Sequence, residues 1–502
     1  MQSYDIIVIG GGGTGLMAAY AAASEGCSVL LLEKGEKLGG TTAMSVGTVA
    51  ASNTQLQRDA GIVGDTPDAH FEDMGLFNQT LANRDNLALR RILVDHSPET
   101  IEILTRLGVV FMGPLPEPPH RVPRLHAILP HSRGFIVHLS KACADLDVVI
   151  ETGATVTALK TSGERVTGVE ILNRDGSTRQ AEARQGVIIA SGDFSAAPLG
   201  YKRNHMSGPL LDIGGINPLS TGDGQAMAET IGGKVINGDL AWGPEIRFLA
   251  PPKPSIISKL PTWPALAKLM VWAMKVVPPV LMRPFLLGFV TTFLAPSHNL
   301  FHKGAILINR KGERFCDELD RPQDHIGTQA PASGWIVFGH EVARQFDQWP
   351  NFISTAPGVG YAYLPDYEQS RRDVVKKAGT LAELAQIIDV PLASLEASLH
   401  SHNASLTRNP ALSPIHQGPF YALGPAISWI VFSEGGLSID TEFRVLDGHG
   451  QPIHGLFAAG SSGQGGIILN GHGHHLGWAF TSGRLAGKRA AQEPRHGTVS
   501  VS

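Results

Sequence analysis

Hydrophobic positions along this chain fall into two patterns. Ile6 to Ile9 is an unbroken β-branched run, as expected of a strand covered on both faces. It feeds Gly10, Gly12 and Gly15; the alanine-rich stretch Leu16 to Ser24 then predicts a helix, and Ser28 to Leu32 a second strand closed by Glu33. Alternating strand and helix patterns occupy both ends of the chain, bracketing a middle, about Leu240 to Tyr421, richer in proline and aromatic residues, so that the ends and the middle read as different units. The most apolar segment is 261–296. Lys268, Lys275, Arg283 and prolines interrupt it, so no run reaches the roughly 18 uncharged residues of a membrane span. Lys268 and Lys275 are seven apart and share a helix face, leaving a wide apolar face of Leu266, Leu269, Met270, Trp272, Ala273 and Val276. A buried cap helix with snorkelling lysines would carry this pattern. The readings taken forward are an interfacial helix in peripheral contact with a membrane and the wall of a lipophilic substrate pocket.

The glycine spacing adds chemistry to the first pattern. Gly10 permits a tight turn, Gly12 lets backbone approach a pyrophosphate, and Gly15 lets the helix pack close to the strand. The helix N-terminus turns its unpaired N–H groups towards the phosphates. Glu33, at the end of the second strand, sits where a carboxylate accepts hydrogen bonds from a ribose. At 502 residues the chain has room for two or three domains. Its net charge of −4 leaves no basic footprint for nucleic acid, so a small-molecule partner is expected. Cys27, Cys143 and Cys316 lie far apart with no C-x-x-C, which offers neither a disulfide framework nor a thiolate metal site. The first strand begins by Tyr4, leaving no room for a signal peptide; a cytoplasmic location is expected.

After the first strand–helix–strand unit comes LGGTTAMSVGTVAAS, Leu38 to Ser52, rich in glycine and small hydroxyl residues that suit close contact with a flat polar ring. With Gly39, Gly40, Thr41, Thr42, Ser45 and Gly47 matching GG-(S/T/N)-(T/S)-x-x-S-x-G, the chain resembles the FAD-dependent fumarate reductase and 3-ketosteroid dehydrogenase superfamily. The resemblance continues through ILVDHSPETIEILTRLGVVF (92–111), VVIETGATVTALK (148–160), GVIIASGDFSA (186–196, with Asp193 for the usual second glycine), NPLSTGDGQAMAETIGG (217–233), GAILINRKGERFCDE (304–318), HGLFAAGSSGQGG (454–466, with Ser461 for the usual Glu) and LNGHGHHLGWAFTSGRLAG (469–487). It implies an α/β fold: a discontinuous, Rossmann-like FAD-binding domain of residues 1–240 and 422–502, with an α+β capping or substrate domain inserted over 241–421. It also implies FAD contacts at Gly10, Gly12, Thr14, Gly15, Glu33, Lys34, Gly40, Thr41, Thr42, Ser45, Gly47, Val156, Ser191, Gly192, Asp193, Asp223, Gly460, Ser461, His475 and Leu476. The histidyl-flavin HT pair is absent, since Thr41 and Thr42 follow Gly40, so non-covalent FAD is expected. A helix starting near Leu476 would direct its N-terminus at the flavin C2 carbonyl and favour reduction.

For the substrate, fumarate reductase relatives clamp a dicarboxylate with a histidine and an arginine where this chain has Phe432 and Asn470. Without those cations a dianion loses charge-assisted bonds worth about 1.5–3 kcal/mol each. The last element is more similar to the ketosteroid branch, where a tyrosine and a glycine N–H polarise a ketone. Gly473 falls on that glycine and Leu469 on the tyrosine, and no base tyrosine follows Arg314 in LDRPQDHIG (319–327). Substitute groups are His472, His474 and His475 around the loop, with Tyr361 and Tyr363 as proton acceptors from the cap. Arg314 matches the family's acid arginine, which in other relatives is structural. Arg121, Arg124 and His126 could supply charge at the entrance or solvate a loop, and the loop reading is taken. No metal is expected, because H-x-H-H at 472–475 begins a helix whose N-terminus is wanted for flavin. No second dinucleotide fold is evident, so electrons are expected to pass to an external acceptor such as a quinone. The expected activity is desaturation of a CH–CH bond beside a carbonyl in an apolar, cyclic or steroid-like ketone. The alternatives are a C=C reductase of an enoate and a non-catalytic flavin-binding protein.

Overall fold

The structure, a computed structural model, describes residues 2–249, 257–278, 295–356, 360–405 and 411–496. Its larger sheet is built on β1 (Gln2–Ile9), whose Ile6, Ile7 and Val8 are wholly buried. β1 pairs in parallel with β2 (Val29–Glu33), which pairs in parallel with β3 (Val149–Thr152). A hairpin of β4 (Thr155–Ser162) and β5 (Arg165–Leu172) follows, and β5 runs antiparallel to the first half of β6 (Thr178–Ile189). The second half of β6 lies parallel to β1 on one side.

The core around this sheet is apolar and continuous, as a sheet covered on both faces requires. α1 (Gly13–Ser24) starts three residues before the expected Leu16, because Gly12 already serves as its N-cap. A Cβ at Gly15 would stand 1.9 Å from the Gly10 carbonyl oxygen, so only glycine lets helix and strand meet this closely.

The middle of the chain builds a second, antiparallel sheet from β7 (Glu245–Phe248), β8 (Ile306–Ile308), β9 (Gly334–Phe338), β10 (Val375–Ala378) and β11 (Phe420–Trp429). β11 is its spine: β9 pairs along one edge and both β7 and β10 along the other, while β8 extends the sheet beyond β9. The expected boundary at 421/422 falls inside β11. That strand pairs with the second sheet along its whole length, and Tyr421 stacks on Phe338 at 5.4 Å. Two short ladders carry the chain out of the first body and back, Val235–Ile236 with Gly436–Leu437 and Ala241–Trp242 with Phe432–Ser433. They fix Phe432 and Glu434 where the bodies meet.

The chain then returns through β12 (Arg444–Leu446) and β13 (Pro452–Ala458). β13 completes the parallel sheet along β6.

The apolar segment is described in part. α2 (Pro264–Val276) turns Ala267 inward and leaves Lys268, Leu269, Trp272, Lys275 and Val276 exposed on one stripe. The lysines therefore share the solvent face with Leu269, Trp272 and Val276 instead of standing opposite them, which corrects the expected partition. Residues 279–294 lie outside the described residues. Among the described residues no helix is long and apolar enough to cross a membrane.

α3 (His474–Ala491) closes the first body against α1. A Cβ at Gly483 or Gly487 would meet the carbonyl oxygens of Thr14 and Ala18 at 2.5 and 2.3 Å, so the two helices cross backbone to backbone.

Candidate active site

A cleft with about 1210 Å³ of open space, counting its mouth, runs along the C-terminal ends of β1, β2 and β6. Ligands of open α/β sheets sit at this edge. At one end Glu33 is buried, and its two carboxylate oxygens accept from the backbone N–H groups of Gly11 (2.7 Å) and Gly35 (2.6 Å). Each oxygen keeps a lone pair for a hydroxyl of a ligand. Lys34 pairs with Asp223 at 2.7 Å, and Thr221 also donates to that carboxylate.

In the middle, Gly12 tests what the cleft is shaped for. A Cβ there would meet no protein atom closer than the Gly39 oxygen at 3.8 Å, and its φ of −78° suits any residue. The protein's own packing does not require this glycine; a phosphate lying against the backbone does. Gly13 N–H donates to Thr42 Oγ1, and Asn217 Nδ2 donates to Thr41 Oγ1. Ser191, Gly192 and Asp193 follow from the end of β6. Asp193 is buried, accepts from Ser195 N–H at 2.7 Å, and has its carboxyl pKa pushed up by that burial.

At the far end stand Phe432, Ser461, His475, Leu476 and Ala479. His475 Nε2 lies 2.9 Å from Glu434 Oε1, an acceptor that fixes a proton on Nε2, so that in the neutral imidazole the lone pair is on Nδ1. Glu434 is buried, and Gln464 donates to its other oxygen. The Phe432 ring centroid is 3.7 Å from that of His475, and Trp242 sits beside both at 5.9 and 6.4 Å. The cations lining the cleft among the described residues, Lys34 and Lys37, both follow β2, at the Glu33 end.

The expected FAD contacts line this cleft together, except Gly15, Gly47 and Gly460. Those three serve the walls, since added Cβ atoms would strike the Gly10 oxygen, Ile128 Cγ2 and Thr14 Oγ1. The five residues expected to be catalytic lie outside the lining. Arg314 is turned onto Glu318 in the second body, at 2.9 and 2.6 Å. Tyr361 is exposed between Trp349 and Phe352, and Tyr363 precedes a helix with its N–H on Asp366. Gly473 caps α3 with φ +84° and gives its carbonyl to Ala50 N–H. His472 is partly exposed, ion-paired with Glu117, and that hydrogen bond raises its pKa.

Sequence reasoning missed Glu434, Asn217 and Ser220; only the stretches FSEGG and NPLSTGDG pointed near them. The reading of Arg124 and His126 as loop-solvating residues is corrected, because both are wholly buried. Arg124 is gripped by Asp65 (2.9 and 2.6 Å) and Asp73 (2.5 Å), and His126 meets Thr54 Oγ1 at 2.8 Å.

Beside them His70, His120 and His474 bring ring nitrogens within 4.8 Å of one another, all buried. Such a group has the donor set of a metal site, against the expectation of none. Arg124, however, donates to His120 Nδ1 at 3.0 Å, which places a fixed positive charge on the cluster and the His120 proton on Nε2. Burial lowers all three pKa values, His120 to about 4 and His474 to about 3.

The sheet, the glycine turn and the cleft define an FAD-binding flavoprotein. The sequence profile of the FAD binding domain family matches residues 5–249 and 265–470, and the chain belongs to that family. It is 26% identical over 522 residues to an NADH:fumarate oxidoreductase of Klebsiella pneumoniae (strain 342), covering 98% of this chain and 48% of the relative, so it spans about half of that protein's length. Among solved structures, the open conformation of a flavocytochrome c3 fumarate reductase superposes with a TM-score of 0.70 at 22% identity, over 98% of this chain and 78% of the other. The 3-ketosteroid delta1-dehydrogenase from Sterolibacterium denitrificans, in complex with 1,4-androstadiene-3,17-dione, superposes with a TM-score of 0.66 at 20% identity, over 98% and 100% of the two chains. Both share the fold. FAD is this protein's cofactor.

Proposed function

We propose that this flavoprotein is an oxidoreductase of CH–CH bonds that desaturates a neutral, largely apolar ketone beside its carbonyl. The observation supporting this most directly is the far end of the cleft: Phe432 packed on His475, His475 held by buried Glu434, and Trp242 alongside. An apolar wall beside one polarised imidazole suits a neutral ring better than a dianion, which would forgo about 1.5–3 kcal/mol for each missing charge-assisted bond.

In this reading bound FAD supplies the two-electron acceptor for the hydride. His475 Nδ1 takes the proton from the carbon beside the carbonyl, and Glu434 stabilises the imidazolium that results. Phe432 and Trp242 orient the substrate and exclude water. The electrons leave to an external, quinone-like acceptor.

A second reading, reduction of a C=C bond, is favoured by the fumarate-reducing relative named above. The same residues would serve it in reverse, with His475 returning a proton. The test is anaerobic: saturated cyclic ketones, steroid ketones, enones and dicarboxylates are added to the yellow protein while the flavin absorbance is followed. Bleaching by a saturated ketone supports the dehydrogenase. Reoxidation of reduced protein by an enone, with no bleaching by any ketone, supports the reductase, and response to dicarboxylates alone would refute both apolar readings.

A further inference from the structure

The feature that the cleft does not use is the outer face of α2. Its seat on the first body is settled at its N-terminal end, where His131 Nε2 donates to Leu260 O at 3.0 Å, Gly108 abuts Pro264 and Gly134 abuts Thr262. That anchoring aims a stripe of Leu269 (57% exposed), Trp272 (59%) and Val276 (55%) away from the protein, with Trp263 (67%) at the helix start. Large apolar side chains this exposed on consecutive turns of one helix are unusual for a face turned only to water.

The charge along the chain on either side of the helix has one sign. From residue 246 to 312 the sequence holds nine Lys and Arg and no Asp or Glu, in a chain whose net charge is −4. Lys268 and Lys275 stand on the same outward stripe as Trp272. A helix that shows aliphatic and indole groups flanked by lysines, inside a long acid-free stretch, has the complement of an anionic lipid surface. Acidic protein partners would satisfy the lysines but would not need two exposed tryptophans at the level of a headgroup layer.

We propose that α2 docks this protein on bilayers containing anionic lipid, with Leu269, Trp272 and Val276 entering the interface and Lys268 and Lys275 meeting the headgroups. The helix lies in the plane of the surface and does not cross it. The proposal concerns binding alone and stands independently of the substrate and of the direction of catalysis.

The experiment uses the full FAD-loaded chain with vesicles of phosphatidylcholine alone or mixed with phosphatidylglycerol. Co-sedimentation and tryptophan emission are read at low and high salt. Expected are binding to the mixed vesicles only, a blue shift of the emission, and release by salt. Neutralising both lysines (K268Q with K275Q) should weaken partitioning by about 30-fold, taking each lysine near the surface as about fivefold. Leu269→Ser with Trp272→Ser should abolish the blue shift, with flavin absorbance confirming that each variant is folded. Absence of binding to the mixed vesicles at low salt overturns the proposal. So do equal binding to both vesicle types, binding unchanged in both variants, and a concentration-dependent dimer that the serine variant dissolves without any vesicle binding.

Discussion

Arg124→Leu is the most informative single perturbation of this fold. Arg124 is wholly buried, and it is held by three short bonds to Asp65 and Asp73, whose side chains are about as buried as its own. Replacing it leaves the two carboxylates unequally served. Asp73 keeps the Arg121 backbone N–H (2.9 Å) and Nε (2.8 Å), which with Arg124 hold its pKa below the usual value against the opposing effect of burial. Asp65 loses both of its guanidinium bonds and keeps only Gln57 Nε2 at 2.8 Å. Breaking a buried ion pair by removing one partner costs about 3–5 kcal/mol, chiefly through the charge left behind. If that is the origin, neutralising the orphan should recover part of the loss, and the pair Asp65→Asn with Arg124→Leu should be about 1–2 kcal/mol more stable than Arg124→Leu alone. The assay is denaturant unfolding of the three proteins followed by tryptophan emission and by flavin release. A single variant within about 1 kcal/mol of the parent, or a double variant no better than the single, would refute the assignment of the loss to an orphaned carboxylate.

Other outcomes follow from the same geometry. Glu434→Gln, which keeps the shape but removes the charge facing His475, should lower turnover about 10- to 100-fold with FAD still bound; a rate within twofold of the parent in a stopped-flow reduction would remove His475 from proton transfer. Gly12→Ala should leave the fold intact, since no protein atom lies within 3.4 Å of the added Cβ, yet weaken retention of FAD; a variant as yellow as the parent after gel filtration would contradict the cradle. Stability should fall as pH drops below about 6.5. His120, His126 and His474 stay neutral in the folded state down to about 4, 4 and 3, so the unfolded chain binds the protons first. The slope then approaches about 1.4 kcal/mol per pH unit for each histidine. Equal unfolding midpoints at pH 7 and pH 5 would show that these imidazoles are not held neutral.

What the sequence made legible was what neighbours in the chain decide. Ile6 to Ile9, the glycine turn and Glu33 form one contiguous unit, and their roles survive folding almost unchanged. The last helix was placed two residues late because Gly473, not a polar cap, starts it with a positive φ. Pairs made between distant parts of the chain, in and around the far end of the cleft, were illegible for a different reason. Glu434 meets His475 across 41 residues, Glu117 meets His472 across 355 and His70 meets His474 across 404. No periodicity reports such partners, and Arg124 looked like loop charge because its two aspartates come 59 and 51 residues earlier. On α2 the spacing correctly put both lysines on one face; which apolar residues would join them depended on what the helix was packed against.

The close crossing of α1 and α3 has a consequence for how the protein is made. Thr14 and Ala18 present carbonyl oxygens to Gly483 and Gly487, so that side of the helix that starts the cleft is not covered until α3 has been synthesised. At about 5–20 residues per second, the ribosome takes roughly 25–95 s to travel from Thr14 to Gly483. Throughout that interval the alanine face of α1 and one edge of β6 await partners, exposed to chaperones and to aggregation. Flavin loading then waits for the emergence of α3, and nascent chains arrested before residue 470 should emerge colourless.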